Sequence, residues 1–481
     1  MSDRNPESKS KPANNPGQKL PNPHNSGVAW KASGLAYTLG EFTNSLQFDT
    51  LSEEVIHHAS LIMRDTIGTM LAGATLPEIK NLTQIGGWVS GPGNATLMGC
   101  QHSSSPHFAA LVNGTGAVSL ELDEGNQFAI NHPSVHIFPT ALALAEDRNL
   151  SGQELLTAFT AGYEVAVRVG RATHLRWPVH PFGTHAILGT AACASRLLGL
   201  DVPQTAKALD ISAGMCITSS QTAANSGASV RNLATGLTNH NGLLAPVFVQ
   251  AGFTGEPAAL NVVFGEILGD SFEEESVSRD LGSKFYLTRN YFKIHACSRW
   301  NHAPIEAMAN VMAKASFQVE DVDKITVWTY DPATRLSWND PVNGYAAKHS
   351  IPYNVAVRLV RKSNDLAVYS DEVVYDPQVR AMAQKISVQE DPKLTAMLPD
   401  VRPARVEVKL FSGDTFTETV ERPIGGFDRP FSEDVLTDKF RRLAGMILPP
   451  SSISSLEQMI ASLPDLEDVR MLSPLLRGPM S

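Results

Sequence analysis

Residues 119–136 hold an unusual group of side chains that can exchange protons. The group consists of three acids and two histidines: Glu121, Asp123, Glu124, His132 and His136. A carboxyl or imidazole group in a cleft has its pKa shifted by burial and by neighbouring charges, and can then work as an acid or a base. A solvated turn is the alternative, but the preceding LVNGTGAVS is too small and apolar for an ordinary exposed face. The segment therefore predicts an acid–base site.

The same side chains could in principle hold zinc or iron, since both metals accept carboxylates and histidines. His132 and His136 are four residues apart, but Pro133 is a poor interior residue for the helix that such a metal-binding pair needs. Nucleotide binding is not indicated either, because Gly189 lacks the spacing of a phosphate-binding glycine loop. We therefore expect neither a metal nor a cofactor.

Cationic and aromatic candidates lie farther along the chain. His180 stands in the Pro-bounded loop WPVHPFGTH, Arg231 stands among small residues, and Lys293 has apolar neighbours. A lone cation among apolar residues indicates a buried charge with an anionic partner or ligand. Arg168, Arg171 and Arg176 lie near the same loop, and pairing with acids on neighbouring helices explains these arginines equally well. Tyr353 begins an apolar helical run and would mean little alone, and Cys297 is interpreted as a small buried residue.

The elements that must position these residues are mostly helices. Apolar residues recur at helical spacing from residue 29 to residue 285, where Thr50 with Glu53 and Ser151 with Glu154 predict two capping boxes. Residues 186–200 predict a helix buried among other helices.

A different pattern occupies residues 286–428. Residues 325–329 alternate like a half-buried strand, and residues 404–410 and 415–420 predict a hairpin. Helical spacing returns in 432–448 and 454–463. The fold class is therefore mainly α, a large all-helical domain with an inserted smaller α+β lid domain. We predict a disordered tail at 1–28, the first helical part at 29–285, the lid at 286–428 and the last helical part at 429–481.

Composition limits the function classes. The 481 residues include 43% hydrophobic residues, and 39 basic against 49 acidic residues give a net charge of −10. This balance fits a globular protein and argues against a nucleic-acid partner. No apolar run of 18 or more residues and no CxxC pair occur, so neither a membrane partner nor a structural zinc site is expected. The expected location is the cytoplasm, with the mitochondrion as the alternative.

Six ordered segments carry a resemblance to a known family: VNGTGAVSLELDEGN with NHPSVHIFPTALALAE, GYEVAVRVGRA with VHPFGTHAILGTAACASRLLGL, GLLAPVFVQAGFTGEP, YFKIHACSRWNHAPIEA, KHSIPYNVAVRLV, and RPIGGFDRPFSEDVLTDKFRRLAG. From about Leu35 to Leu448 they resemble the MmgE/PrpD family, which includes 2-methylcitrate dehydratase and cis-aconitate decarboxylase. The resemblance implies a helical domain with an α+β lid, a homodimer, and a metal-free active site between the domains.

The resemblance also implies roles for single residues. His132, His180, Lys293 and Tyr353 take the places of the family's active-site residues, and His302 stands where the family has a second histidine after the lysine. Two positions depart from the decarboxylase pattern. Glu121 replaces the first Asp of a DFDD-like motif, with Asp123 as the matching second acid, and Arg231 replaces a Lys. Both changes disfavour cis-aconitate decarboxylation and leave a polycarboxylate pocket intact.

The sequence therefore predicts a lyase that abstracts a proton next to a carboxylate of a small di- or tricarboxylic acid, and dehydrates a 2-hydroxy acid like 2-methylcitrate. The candidate catalytic residues are His132, His180, Lys293, Tyr353, Asp123 and Glu121. The candidate substrate-binding residues are Arg231, His302 and Arg299. A decarboxylase of the cis-aconitate type, a dicarboxylate epimerase or isomerase, and a catalytically inactive dimeric binding protein are the alternatives.

Overall fold

The structure, a computed structural model, describes residues 34–86 and 89–478. The predicted disordered tail, residues 1–28, lies outside the described residues. Within them, no helix is long and apolar enough to cross a membrane.

The first part of the chain forms a helical domain. Its longer helices are Leu35–Ser45, Glu53–Gly73, Pro77–Ile85, Pro106–Ser119, Pro133–Arg148, Gly152–Ala172, Ala186–Leu197, Val202–Ala213 and Val230–Gln250, and its short helices are Gln221–Asn225, Ala259–Asn261 and Glu274–Ser278. The helix Ala186–Leu197 is almost entirely buried and packs against five others, as its small residues predict. It ends three residues before the predicted limit.

The two predicted capping boxes have different outcomes. Ser151 and Glu154 form the reciprocal pair of hydrogen bonds that starts the helix Gly152–Ala172. The pair Thr50–Glu53 was wrong. The helix Glu53–Gly73 is capped by Ser52, because the hydroxyl of Ser52 lies next to the first turn and accepts from the Val55 N–H.

The second part forms a mixed sheet with helices. The strand order is Ile386–Glu390, Val322–Thr329, Ala404–Leu410, Thr415–Val420; the first pair is parallel and the others are antiparallel. In this register Val327 lies between Val388 and Val406. The helices are His302–Lys314, Asp331–Thr334, Gly344–Ala347, Ile351–Arg361, Asp371–Val374, Pro377–Gln384 and Pro392–Thr395. The predicted hairpin has the predicted bounds, whereas the polar edge strand Ile386–Glu390 was missed.

The last part returns to the helical domain through the helices Glu433–Ala444, Pro450–Ala461 and Ser473–Leu476. The helix Glu433–Ala444 packs against Glu53–Gly73. Two further ladders, Ala95–Thr96 with Ser103–Ser104 and Thr173–Leu175 with Gly269–Phe272, lie within the helical domain.

Two hydrophobic cores fill the molecule. One is built from the first and last parts of the chain, and the other mainly from the second part. The change of core falls between Phe292 and Ala296, and again between Val420 and Phe431. The fold class is therefore the predicted one, while the boundaries at 285/286 and 428/429 stay predictions.

Candidate active site

Residues 119–136 form a compact connection between two buried helices. The helix Pro106–Ser119 ends before Glu121, whose φ of 57° turns the chain back. Asn126 and Asn131 then exchange backbone hydrogen bonds, and the next helix starts with Pro133 in its first turn. Proline is well tolerated there because that N–H has no helical partner. His132 is the residue that precedes the helix, so its side chain is held at a helix start.

Two buried lysines from distant parts of the chain hold this connection in place. Lys439 donates to the Leu122 carbonyl at 2.6 Å and also bonds to the carboxylate of Asp65. Lys348 donates to the Leu120 carbonyl at 3.1 Å, and burial lowers the pKa of Lys348 to about 8. Both cores thus contribute to the placement of the acids, and neither lysine was singled out in the sequence.

A backbone bridge brings Tyr291 next to the same segment. Gly125 and Tyr291 exchange hydrogen bonds of 3.1 and 2.8 Å. A Cβ atom at residue 125 would overlap the tyrosine hydroxyl, so only glycine permits this approach. The hydroxyl of Tyr291 lies 3.2 Å from His132 Nε2. Tyr291 was missed by the sequence reasoning, and its one signal was the glycine that follows the acids.

Asp123, His132 and Tyr291 form a chain of hydrogen bonds. The carboxylate of Asp123 accepts from His132 Nδ1, which leaves Nε2 as the acceptor that faces Tyr291. Burial lowers the pKa of His132, against the opposing charge of Asp123. The pKa of Asp123 stays below its usual range because His132 and Lys293 outweigh the effect of burial. His132 is therefore neutral near pH 7 and is oriented as a base.

Lys293 lies behind this chain. Its Nζ is 3.1 Å from Asp123 Oδ1 and 3.6 Å from Glu121 Oε2, and it is fully buried. Burial would lower the pKa of Lys293, but the two carboxylates raise it above its ordinary value. Lys293 is a charged lysine that neutralises the acids, and it does not line the cavity.

Glu121 and Arg231, the two departures from the decarboxylase pattern, form one buried ion pair. Burial raises the pKa of Glu121, but Arg231, Lys293 and His349 together bring it to about 2. The guanidinium also lies 3.9 Å from the centre of the Phe182 ring. The longer acid, Glu121, and the longer cation, Arg231, therefore neutralise each other. Comparing either position alone with the decarboxylase pattern does not show this pairing.

His180 faces the cavity from the other side. Its Nδ1 accepts from the Phe182 N–H at 3.1 Å, while Arg231 Nε lies at 3.4 Å from Nε2. Burial, Arg231 and His349 hold the pKa of His180 well below its usual value, so the ring is neutral. A neutral imidazole has one lone pair, and we assign it to Nδ1 because that contact is shorter. Nε2 then carries the proton, beside Arg231 Nε in the wall of the cavity.

Three arginines, Arg231, Arg299 and Arg402, line the cavity together with His132, His180 and Tyr291. Arg299 donates to the carbonyls of Pro423 and Ile424 and lies over the Tyr291 ring at 4.9 Å. Arg402 donates to the Gln127 carbonyl at 2.8 Å. Arg299 belongs to the predicted set, whereas Arg402 was missed because VRPARVEV has no pattern that distinguishes it from a surface arginine.

Two predicted site residues lie elsewhere. Tyr353 is buried in the second core, where its hydroxyl donates to the Val368 carbonyl, and it does not line the cavity. The prediction that its hydroxyl meets the substrate therefore disagrees with its position, because the helix Ile351–Arg361 turns this side chain inward. His302 lies behind Arg299, at 3.3 Å from its guanidinium, and does not line the cavity either.

In the part of the chain that the structure describes, no three His, Cys, Asp or Glu side chains converge as metal ligands. His136 bonds through Nδ1 to the His132 carbonyl at 2.7 Å, while Nδ1 of His132 bonds to Asp123. The two histidines therefore do not form a chelating pair.

Comparison with known proteins decides the family. The MmgE/PrpD N-terminal domain matches residues 37–267 and the MmgE/PrpD C-terminal domain matches residues 295–465. The chain belongs to the MmgE/PrpD family.

Several MmgE/PrpD relatives span most of the chain. The cis-aconitate decarboxylase of Aspergillus terreus is 24% identical over 477 residues, which cover 93% of this chain and 97% of that protein. The cis-aconitate decarboxylase of Mus musculus is 26% identical and covers 91% of this chain and 92% of its own. The 2-methylcitrate dehydratase of Salmonella typhimurium is 27% identical and covers 80% of this chain and 83% of its own.

Proposed function

We propose that the protein is a lyase that dehydrates a small 2-hydroxy polycarboxylic acid of the 2-methylcitrate type. The observation that carries the proposal is the neutral His132, which is oriented by Asp123, contacts the Tyr291 hydroxyl and shares one cavity with three arginines. This arrangement provides a base, an acid and a receptor for carboxylates, which are the three groups that such an elimination needs.

His132 is the proposed base. Its Nε2 takes the proton from the carbon next to a substrate carboxylate, and the electron pair of that C–H bond forms the C=C bond. Asp123 holds the ring in the required tautomer and stabilises the imidazolium that results. Lys293 keeps Asp123 ionised through this step, since its Nζ lies 3.1 Å from the carboxylate.

The proposed acid is Tyr291, which takes the role that the sequence predicts for Tyr353. Its hydroxyl gives a proton to the hydroxyl that leaves the substrate, so that water departs as the C–O bond breaks. Burial raises the pKa of Tyr291, which keeps the hydroxyl protonated before the reaction. The Arg299 guanidinium over the ring stabilises the phenolate after it. The proton on His132 can return to Tyr291 across the 3.2 Å contact.

His180 is the proposed donor to the charge that develops on the substrate. Removal of the proton places negative charge on the neighbouring carboxylate, which then resembles an enolate. A neutral Nε2–H that is already oriented by the Phe182 N–H stabilises this charge without reorganisation. The Glu121–Arg231 pair lies next to His180 in the wall of the same cavity.

Decarboxylation of cis-aconitate is the second candidate. The decarboxylases of Aspergillus terreus and Mus musculus cover 93% and 91% of this chain, against 80% for the Salmonella typhimurium dehydratase. In this reaction the C–C bond to a carboxylate breaks, CO₂ leaves, and Tyr291 or protonated His132 would give a proton to the carbon. The homodimer and the cytoplasmic location stay predictions.

The test is to incubate the purified protein with 2-methylcitrate, citrate and cis-aconitate, and to follow C=C absorbance and products by mass spectrometry. Loss of water from 2-methylcitrate supports the dehydratase, and loss of CO₂ from cis-aconitate supports the second candidate. His132→Ala is the inactive control, and dialysis against a chelator should leave activity unchanged. If none of the three acids is turned over, the lyase proposal is wrong.

A further inference from the structure

The charges around the cavity do not balance. Arg231 is paired with Glu121, and Lys293 lies 3.1 Å from Asp123, so these cations are neutralised. Arg299 and Arg402 are also buried and line the cavity, yet neither has a carboxylate within 4.0 Å among residues 34–86 and 89–478. Glu306, whose charge acts on Arg299, is itself bound to Arg429 and to the Ile424 N–H.

Backbone carbonyls satisfy part of the donors of both arginines but leave the charges uncompensated. Arg299 donates to Pro423 and Ile424, and Arg402 donates to Gln127. Burial and the positive charge of Arg402 lower the pKa of Arg299 to about 10, although Tyr291 opposes them. Two buried guanidinium groups whose charges act on each other are costly unless an anion joins them. Lys348, another buried cation, uses its Nζ for the Ser119 and Leu120 carbonyls.

We propose that Arg402, together with Arg299, binds the carboxylates of the ligand that lie away from His132, and thereby restricts the site to ligands with at least two carboxylates. This inference rests on the proposed function, because it assigns the ligand class of the same cavity. Guanidinium groups bind carboxylates through two parallel hydrogen bonds, which gives direction as well as affinity.

The position of Arg402 depends on Gln127. The Gln127 side chain donates to the carbonyls of Asp400 at 2.8 Å and Pro399 at 3.3 Å, and its own carbonyl accepts from Arg402. The loop that carries Arg402 precedes the strand Ala404–Leu410 of the second part, whereas Gln127 lies in the acid–base segment of the helical domain. Gln127 is therefore a positioning residue, and an anion on Arg402 would connect the two parts of the chain across the cavity.

The test is a binding measurement that needs no turnover. Tricarballylate has three carboxylates and no hydroxyl to eliminate, and its affinity is measured by isothermal titration calorimetry, together with glutarate and butyrate. We expect the wild-type protein to prefer tricarballylate and glutarate over butyrate by at least about tenfold. Arg402→Ala should weaken the binding of tricarballylate at least about 30-fold, as truncation of one partner of a buried charge pair does. Arg402→Lys keeps the charge but loses the two parallel bonds, so its affinity for tricarballylate should lie between those of the wild-type protein and Arg402→Ala.

Arg405→Ala is the matched control. Arg405 lies three residues farther on, pairs with Asp391 at 3.4 Å and stacks on Trp328, outside the cavity. This variant should bind tricarballylate like the wild-type protein. Gln127→Ala should raise KM severalfold for any substrate that is turned over, with little change in kcat. Wild-type affinity in both Arg402 variants, or equal affinity of the wild-type protein for butyrate and tricarballylate, would overturn the inference.

The two proposals can fail separately. If no acid is turned over but Arg402→Ala abolishes tricarballylate binding, the carboxylate-binding role of Arg402 is supported and the lyase proposal is wrong. If an acid is turned over and both Arg402 variants keep the wild-type KM, the lyase proposal is supported and the carboxylate-binding role of Arg402 is wrong. Thermal unfolding of each variant checks that the loss of binding does not come from loss of the fold.

Discussion

His132 is hydrogen-bonded through Nδ1 to the fully buried carboxylate of Asp123, and its Nε2 faces the hydroxyl of Tyr291. The two residues are nine positions apart. The left-handed turn at Glu121 precedes Asp123, and the helix Pro133–Arg148 begins directly after His132. The carboxylate fixes the tautomer of the ring, and Lys293 keeps the carboxylate ionised. This relationship determines which nitrogen can act as a base.

Replacement of Asp123 by Asn should keep the fold and remove most of the activity. An amide in this place can hold the ring in the wrong tautomer and cannot stabilise an imidazolium, so we expect kcat to fall about 10²–10⁴-fold. Steady-state kinetics with the best substrate from the panel above checks this. Asp147→Asn, a change at the partly exposed end of the helix Pro133–Arg148, is the control and should leave kcat unchanged.

The pH dependence of kcat/KM should have an acid limb with a midpoint below 6.5. Burial lowers the pKa of His132 from this ordinary value, and the neutral ring is the base, so the rate falls only as the pH drops through the lowered pKa. Asp123 opposes the shift by favouring the charged ring, so residual activity of Asp123→Asn should have its limb at still lower pH. A midpoint above 6.5 for the wild-type protein would contradict the assignment of His132.

The two tyrosines can be separated by single-atom changes. Tyr291→Phe removes the hydroxyl that lines the cavity and should lower kcat about 10²–10⁴-fold. Tyr353→Phe removes only the donor to the Val368 carbonyl, and should cost about 1 kcal/mol of unfolding free energy with no loss of kcat. Kinetics and urea unfolding of both variants check this. The opposite pattern would return the role of acid to Tyr353.

The Glu121–Arg231 pair should behave as one unit in stability. Glu121→Gln or Arg231→Met alone leaves a buried charge without its main partner, which should cost about 3 kcal/mol. The double variant should be more stable than the sum of the single effects by about 1–3 kcal/mol. Urea unfolding of the four proteins measures this coupling. The exposed pair Lys314–Glu418 is the control, and its coupling should stay below about 1 kcal/mol. Additive effects at the buried pair would disprove the coupling.

Glu124 should make the stability of the protein pH-dependent. Burial raises its pKa from 4.5 to about 7, although Tyr163 and Ser134 donate to it. Between these values the folded state keeps a proton that the unfolded state has lost, so stability falls as the pH rises from 4.5 to 7. Glu124→Gln should remove about 3 kcal/mol of this fall. Urea unfolding at pH 5 and 8 checks it, with the exposed Glu421→Gln as the control. An equal fall in the wild-type protein and in Glu124→Gln would contradict the raised pKa.

Local pattern predicted much of the fold. Apolar residues at helical spacing identify a helix because one face must be buried. The capping pair Ser151–Glu154 marks a helix start because its two residues are only three positions apart and bond to each other locally. The hairpin 404–410 and 415–420 follows from alternation around a short turn. The predicted cap at Thr50 is wrong because Thr50 ends a 3₁₀ turn, where its hydroxyl donates to the Gln47 carbonyl, and Ser52 is the residue that precedes the helix.

By itself, the sequence predicted that the acids and His132 belong to one site, because they lie within one short segment. The left-handed turn at Glu121 and the backbone bonds between Asn126 and Asn131 bring them together. Only the tertiary structure decided which tyrosine and which cations face them. Arg402 bonds to a residue 275 positions away, and Tyr291 reaches His132 across 159 positions. Contacts at such separations leave no periodicity in the sequence, since they depend on how two cores pack and not on local backbone preference. For the same reason Tyr353, which lies in a family motif, is turned by its own helix into the second core.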